Sequence, residues 1–99
     1  GVTAVFAHND TLAYELYKFA QMEGVRVPSD MSIVGFDDLD FRTIITPGLT
    51  TIRQPVDEMT HGAFRRLVAM IEAGGKDPMR DSNSIYEPKL ICRDSVCRL

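Results

Sequence analysis

Three strand-like apolar runs punctuate the chain, and each ends in polar residues. Val2 to Ala7 runs into His8, Asn9 and Asp10; Met31 to Phe36 runs into Asp37 and Asp38; Leu49 to Ile52 runs into Arg53 and Gln54. Between the first two, Leu12, Leu16, Phe19 and Ala20 recur with the helical period of 3.6, Ala13 lies beside them, and Gly24 supplies a stop, so a helix is predicted over 10–23. Only one residue can cap it, and of Asn9 and Asp10 the aspartate is taken as the cap. After the third run, Pro55 suits a first helical position and Asp57 and Glu58 complement the N-terminal dipole. Val56, Met59, Ala63, Leu67 and Met70, flanked by Phe64 and Ile71, form an apolar stripe that closes at Gly74-Gly75. A short helical turn is predicted around 39–44, ended by Pro47-Gly48, and 85–92 reads as an edge or broken strand because of Pro88.

Continuous rather than alternating apolar runs, joined by a connection long enough for a right-handed crossover, predict an α/β fold built on a doubly wound parallel sheet. In such sheets the ligand crevice opens at the carboxyl ends of the strands, where the following helices begin with unpaired N–H groups. Three polar endings therefore predict one polar site. Asp38 is expected to cap the following turn or to be solvated. Arg53 is expected to pair with Asp37 or Asp38 or to reach water, and His8 is assigned no specific role.

With 99 residues the chain holds one core, so 1–99 is read as one domain or part of one. The opening Gly1-Val2-Thr3 is read as the start of a mature or excised piece that lacks upstream sequence. No apolar run approaches the roughly 20 residues that span a bilayer, so no membrane partner is expected. A net charge of −3 with scattered basic residues offers no stripe for phosphates, so the segment is not expected to bind DNA by itself. Cys92 and Cys97 match neither a zinc spacing nor a Cys-x-x-Cys pair, and they are read as free thiols in a reducing compartment. No nucleophile elbow, Walker loop or metal-spaced His/Cys set is present, so neither an enzyme nor a metal or other cofactor is expected. A phospho-acceptor receiver is the subtler rival, since Asp37-Asp38 looks like an acidic magnesium pocket. A receiver also needs an acceptor aspartate and a lysine at later strand ends, whereas the third run here ends in Arg53-Gln54.

Four blocks then stand in order: Ala4 to Asp10 (AVFAHND), Val27 to Asp38 (VPSDMSIVGFDD), Thr46 to Pro55 (TPGLTTIRQP) and Leu90 to Ser95 (LICRDS). In order and spacing they resemble the C-terminal end of the effector-binding domain of LacI/GalR-family repressors, over nearly the whole chain. The resemblance implies most of the C-terminal lobe of a type I periplasmic-binding-protein fold, with the N-terminal lobe and the DNA-binding headpiece absent. It implies a cytoplasmic transcriptional repressor whose small-molecule effector, a sugar, is bound at Asn9, Asp37 and Gln54, and which meets operator DNA only through the absent headpiece. A periplasmic-type sugar-binding protein fragment, or an arabinose-type repressor with a winged-helix headpiece, are the alternatives. Tyr14, Tyr17 and Gln21 are read as the outer face of the first helix, opposite Leu12 and Leu16. In the family that helix and the loop after Asp38 form the homodimer interface, which assigns Tyr14, Tyr17, Ile44 and Ile45 to it.

Overall fold

The computed structural model describes residues 1–40 and 45–98. The elements follow the order β1 (Ala4–Phe6), α1 (Asp10–Met22), β2 (Ser32–Phe36), β3 (Thr50–Arg53), α2 (Val56–Glu72) and β4 (Lys89–Ile91). Two compact units form: Gly1–Arg53 together with the closing segment from Lys89, and Gln54–Pro88.

The first unit carries a four-stranded sheet in the order β1-β2-β3-β4. β1 pairs with β2 in parallel, with Phe6 opposite Val34, and β2 pairs with β3 in parallel, with Phe36 opposite Ile52. β4 lies antiparallel beside β3, Arg53 opposite Lys89, at the edge position that Pro88 signals. Since the first three strands are parallel, Phe6, Phe36 and Arg53 end on the same edge of the sheet. The core is Ala7, Ala13, Ile33 and Leu49, with Leu16, Tyr17, Val27 and Met31 packed against it. Ser95 fastens the closing segment to two strands at once: its hydroxyl donates to Ile33 O at 2.5 Å and accepts from Thr50 N–H at 2.8 Å.

The position of α1 follows its periodicity, but the face it buries does not. Asp10, Ala13 and Ala20 are buried and Leu16 and Tyr17 half-buried, whereas Leu12 and Phe19, expected to face inward, are 48% and 60% exposed. Two alanines let the helix backbone approach β2 closely, and the buried Asp10 fixes the rotation. Asn9, extended at φ −153°, caps the helix by accepting Leu12 N–H at 2.8 Å, which corrects the expectation that Asp10 is the cap. At the other end Gly24, with φ +69°, donates to Gln21 O and Val25 to Ala20 O, the paired bonds of a Schellman ending that needs a left-handed residue there.

In the second unit Pro55 occupies the cap of α2 rather than its first turn. Arg66 on that helix pairs with Asp77 and also donates to Ser82 O, tying the 77–82 loop to the helix. Gly62 leaves the space that the Tyr86 hydroxyl enters.

Candidate functional site

The carboxyl ends of β1, β2 and β3 carry a connected set of polar side chains whose hub is Asp10. Its side chain is almost fully removed from water, at 1% exposure. One carboxylate oxygen accepts the Thr51 hydroxyl at 2.6 Å and the other accepts the Leu39 N–H at 2.8 Å. Space for that carboxylate exists because position 35 on β2 is glycine: a Cβ there would collide with Asp10 Oδ1 and come within 2.9 Å of Leu49 Cδ2. Sequence reasoning reduced Asp10 to a helix cap, yet it joins α1, β3 and the turn after β2.

That turn contains Asp37 and Asp38, both at positive φ, 109° and 55°. Neither is glycine, so each conformation is held by its surroundings. Asp37 N–H donates to Ile52 O at 2.8 Å and Asp38 N–H reaches the Thr51 hydroxyl at 3.4 Å. The Thr51 hydroxyl thus donates to Asp10 while accepting from the turn. Asp38 does not sit in solvent: its side chain is 7% exposed. Arg53 Nε and Nη2 donate to its Oδ2 at 2.6 and 2.5 Å, and Arg93 Nη2 donates to Oδ1 at 2.6 Å. Arg93 also donates through Nη1 to Leu49 O at 2.8 Å. Burial by itself would push the Asp38 carboxyl up, but the guanidinium bonds of Arg93 and Arg53 outweigh it and hold the group below its ordinary value. Of the options open to Arg53 in the sequence, pairing with Asp38 is realised, while its side chain stays 55% exposed to water. Arg93 was missed entirely; its signal is a basic residue two positions after the edge strand, in the closing LICRDS block.

Among the predicted site residues, the structure brings Asn9 and Asp37 to the same edge of the sheet, both half-buried. Gln54 follows β3 directly and opens the second unit. His8 is exposed. An aspartate carboxylate accepts hydrogen bonds only, while the Asn9 amide, whose Oδ1 accepts in capping, also carries two N–H donors. Such a pair complements a ligand rich in hydroxyls, which donate and accept at one atom. Among the described residues no group of three or more His, Cys, Asp or Glu side chains is arranged to hold a metal ion.

The predicted interface residues fall in different settings. Tyr14 is half-buried, with the Lys18 ammonium 5.1 Å from its ring centroid. Tyr17 packs against the core instead of facing outward. Its hydroxyl donates to Pro47 O at 3.0 Å, and burial pushes its pKa up to about 12. Ile45 is only 4% exposed and is already covered within its own chain. Ile44 lies outside the described residues. Among the described residues, no helix is long and apolar enough to cross a membrane.

Known proteins are similar to this chain in sequence and fold. A family profile described as the periplasmic binding protein-like domain matches residues 2–96. The arabinose metabolism transcriptional repressor of Geobacillus stearothermophilus is 45% identical over 94 residues, which cover 95% of this chain and 25% of the repressor. A LacI family transcriptional regulator from Enterococcus faecalis V583, solved with bound ribose, superposes with a TM-score of 0.81 at 33% identity, covering 98% of this chain and 35% of that one. The transcriptional regulator CelR in complex with cellobiose gives a TM-score of 0.84 at 31% identity, covering 95% of this chain and 28% of that one. The chain thus spans about a quarter to a third of the length of these relatives.

Proposed function

The chain belongs to the periplasmic binding protein-like domain family, in its branch of LacI-type transcriptional regulators, and on that footing we propose that it forms the C-terminal part of the effector-sensing domain of a cytoplasmic repressor. The effector is a sugar, and Asn9, Asp37 and Gln54 bind it. The observation that carries the reading is the placement of Asn9 and Asp37 at one edge of the sheet, just past the carboxyl ends of adjacent parallel strands, where ligands of open α/β sheets bind. An acceptor-only carboxylate and an amide that both donates and accepts suit neighbouring hydroxyls. The relatives named above are transcriptional regulators, two of them solved with a sugar bound. This favours the repressor over a periplasmic-type binding protein and over an enzyme.

Signalling follows from differential affinity. A sugar held between this lobe and a second one favours the closed arrangement only to the extent that it binds that arrangement better, and closure then resets the spacing of DNA-binding headpieces in a homodimer. Tyr14, Tyr17 and Ile44 are the proposed dimer contact, and Ile45, covered within its own chain, is left out of it.

Titration calorimetry of the intact regulator against L-arabinose, D-ribose and cellobiose tests the reading. One of these sugars is expected to bind, and Asp37→Asn is expected to weaken it by about 1.5–3 kcal/mol for each charge-assisted hydrogen bond weakened. An unchanged dissociation constant in Asp37→Asn removes Asp37 from the site.

A further inference from the structure

Asp38 and its two arginines are unused by the reading above, although two guanidinium groups from distant parts of the chain converge there on one carboxylate. We propose that Asp38, clamped by Arg53 and Arg93, is the positioning residue for Asp37. It contacts no effector itself and fixes the backbone turn that aims the neighbouring carboxylate. The inference rests on the proposed effector site.

Two adjacent non-glycine residues at φ 109° and 55° form a turn that an L-residue chain does not keep without outside support. Here that support comes from three places in the sequence. From β3, Ile52 O accepts Asp37 N–H, the Thr51 hydroxyl accepts Asp38 N–H, and Arg53 grips Asp38 Oδ2 through two nitrogens. From the closing segment, Arg93 grips Asp38 Oδ1 and is itself anchored on Leu49 O. From the start of α1, Asp10 holds Leu39 N–H, the residue immediately after the turn. The turn is therefore fixed at each of residues 37, 38 and 39.

The Asp38 carboxylate is closed to a ligand. The Asp38 side chain is 7% exposed, and both its oxygens already accept guanidinium donors, three bonds in all. A sugar hydroxyl has no route to it without breaking a charged pair. Asp37 is half-buried at the strand end. Asp38 can reach a ligand only through its neighbour. Arg53 and Arg93 are correspondingly committed to the protein, which separates them from an anion-binding role.

Calorimetry on the intact regulator with L-arabinose, D-ribose and cellobiose tests this through a double-mutant cycle. Asp38→Asn keeps the shape but weakens both guanidinium pairs, and Arg93→Met removes one. Each is expected to weaken binding about tenfold, the loss of one charge-assisted contact at the neighbouring carboxylate, and Arg93→Lys to recover part of it. In an Asp37→Asn background, Asp38→Asn is expected to change the dissociation constant by no more than about twofold, because the residue it positions is gone. A merely structural role lowers the melting temperature without this coupling. If Asp38→Asn does not fold, the Arg93 variants carry the same cycle. Binding that is lost in Asp37→Asn yet stays within about twofold in Asp38→Asn and Arg93→Met overturns the positioning role alone, as does full additivity in the cycle. A wild type that binds none of the three sugars sinks the effector reading, and this inference with it.

Discussion

Asp10→Ala tests whether the buried carboxylate at the start of α1 is the joint of the site. The substitution leaves the Thr51 hydroxyl, on a residue with no exposure, without its acceptor at 2.6 Å, and leaves the Leu39 N–H without its acceptor at 2.8 Å. An unsatisfied buried donor costs about 1–3 kcal/mol. The Leu39 N–H is only partly buried and recovers some of this from water, so it counts at the low end. Removing a negative charge from the first turn of the helix adds about 0.3–1 kcal/mol. Release of a desolvated carboxylate offsets part of the total, leaving a net loss of about 2–4 kcal/mol against the roughly 5–15 kcal/mol that a domain holds. Urea denaturation of the intact regulator measures it as a lower midpoint at unchanged slope. Asp10→Asn keeps an acceptor and is expected to cost less. In a Thr51→Val background the alanine substitution loses the hydroxyl's share of its effect. If Asp10→Ala unfolds within about 0.5 kcal/mol of wild type, the network is ornamental and α1 owes its rotation to Ala13 and Ala20 alone.

Gly35→Ala drives a methyl into Asp10 Oδ1 and Leu49, side chains set in the core beside β2, and is expected to cost about 1–3 kcal/mol, read as a lower melting temperature in a calorimetric scan. Tyr14→Asp is expected to weaken the proposed homodimer by about 2 kcal/mol or more, roughly thirtyfold in dissociation constant, seen by sedimentation velocity, while wild-type association in the variant would remove Tyr14 from the interface. Ile45 is the wrong place for that test, since at 4% exposure a charge there attacks the fold of the chain before it reaches any partner.

The strands and helices were legible because their signals are local. Continuous apolar runs marked β1, β2 and β3, Gly24 and Gly74 marked helix ends that the structure finds in left-handed backbone, and Pro88 marked the approach to an edge strand. What could not be read was the rotation of α1. Periodicity assigns the largest apolar residues to the core, and Leu12 and Phe19 were placed there on that rule. The rule fails where the contact is made by alanines and a buried acid, because close backbone approach rewards small side chains and a carboxylate already supplied with donors can be buried.

The same limit governs the site. Asn9 and Asp37 are visible as polar residues at strand ends, since strand direction alone puts them on one edge of a parallel sheet. Their supports are not visible, because each is a pairing across 13 to 55 positions of sequence: Thr51 with Asp38, Thr51 with Asp10, Arg93 with Asp38. A tandem pair of aspartates read by composition looks like one acidic site with two equivalent members. The fold sets Asp38 apart by seating its carboxylate against two guanidinium groups. That division also accounts for the arginines: Arg53 and Arg93 neutralise the member that is buried, so the second carboxylate need not repel the first. On the proposed reading the acidic pair is one ligand group and one piece of scaffold, and Arg93, far away in sequence, supports the proposed site by its pairing with Asp38.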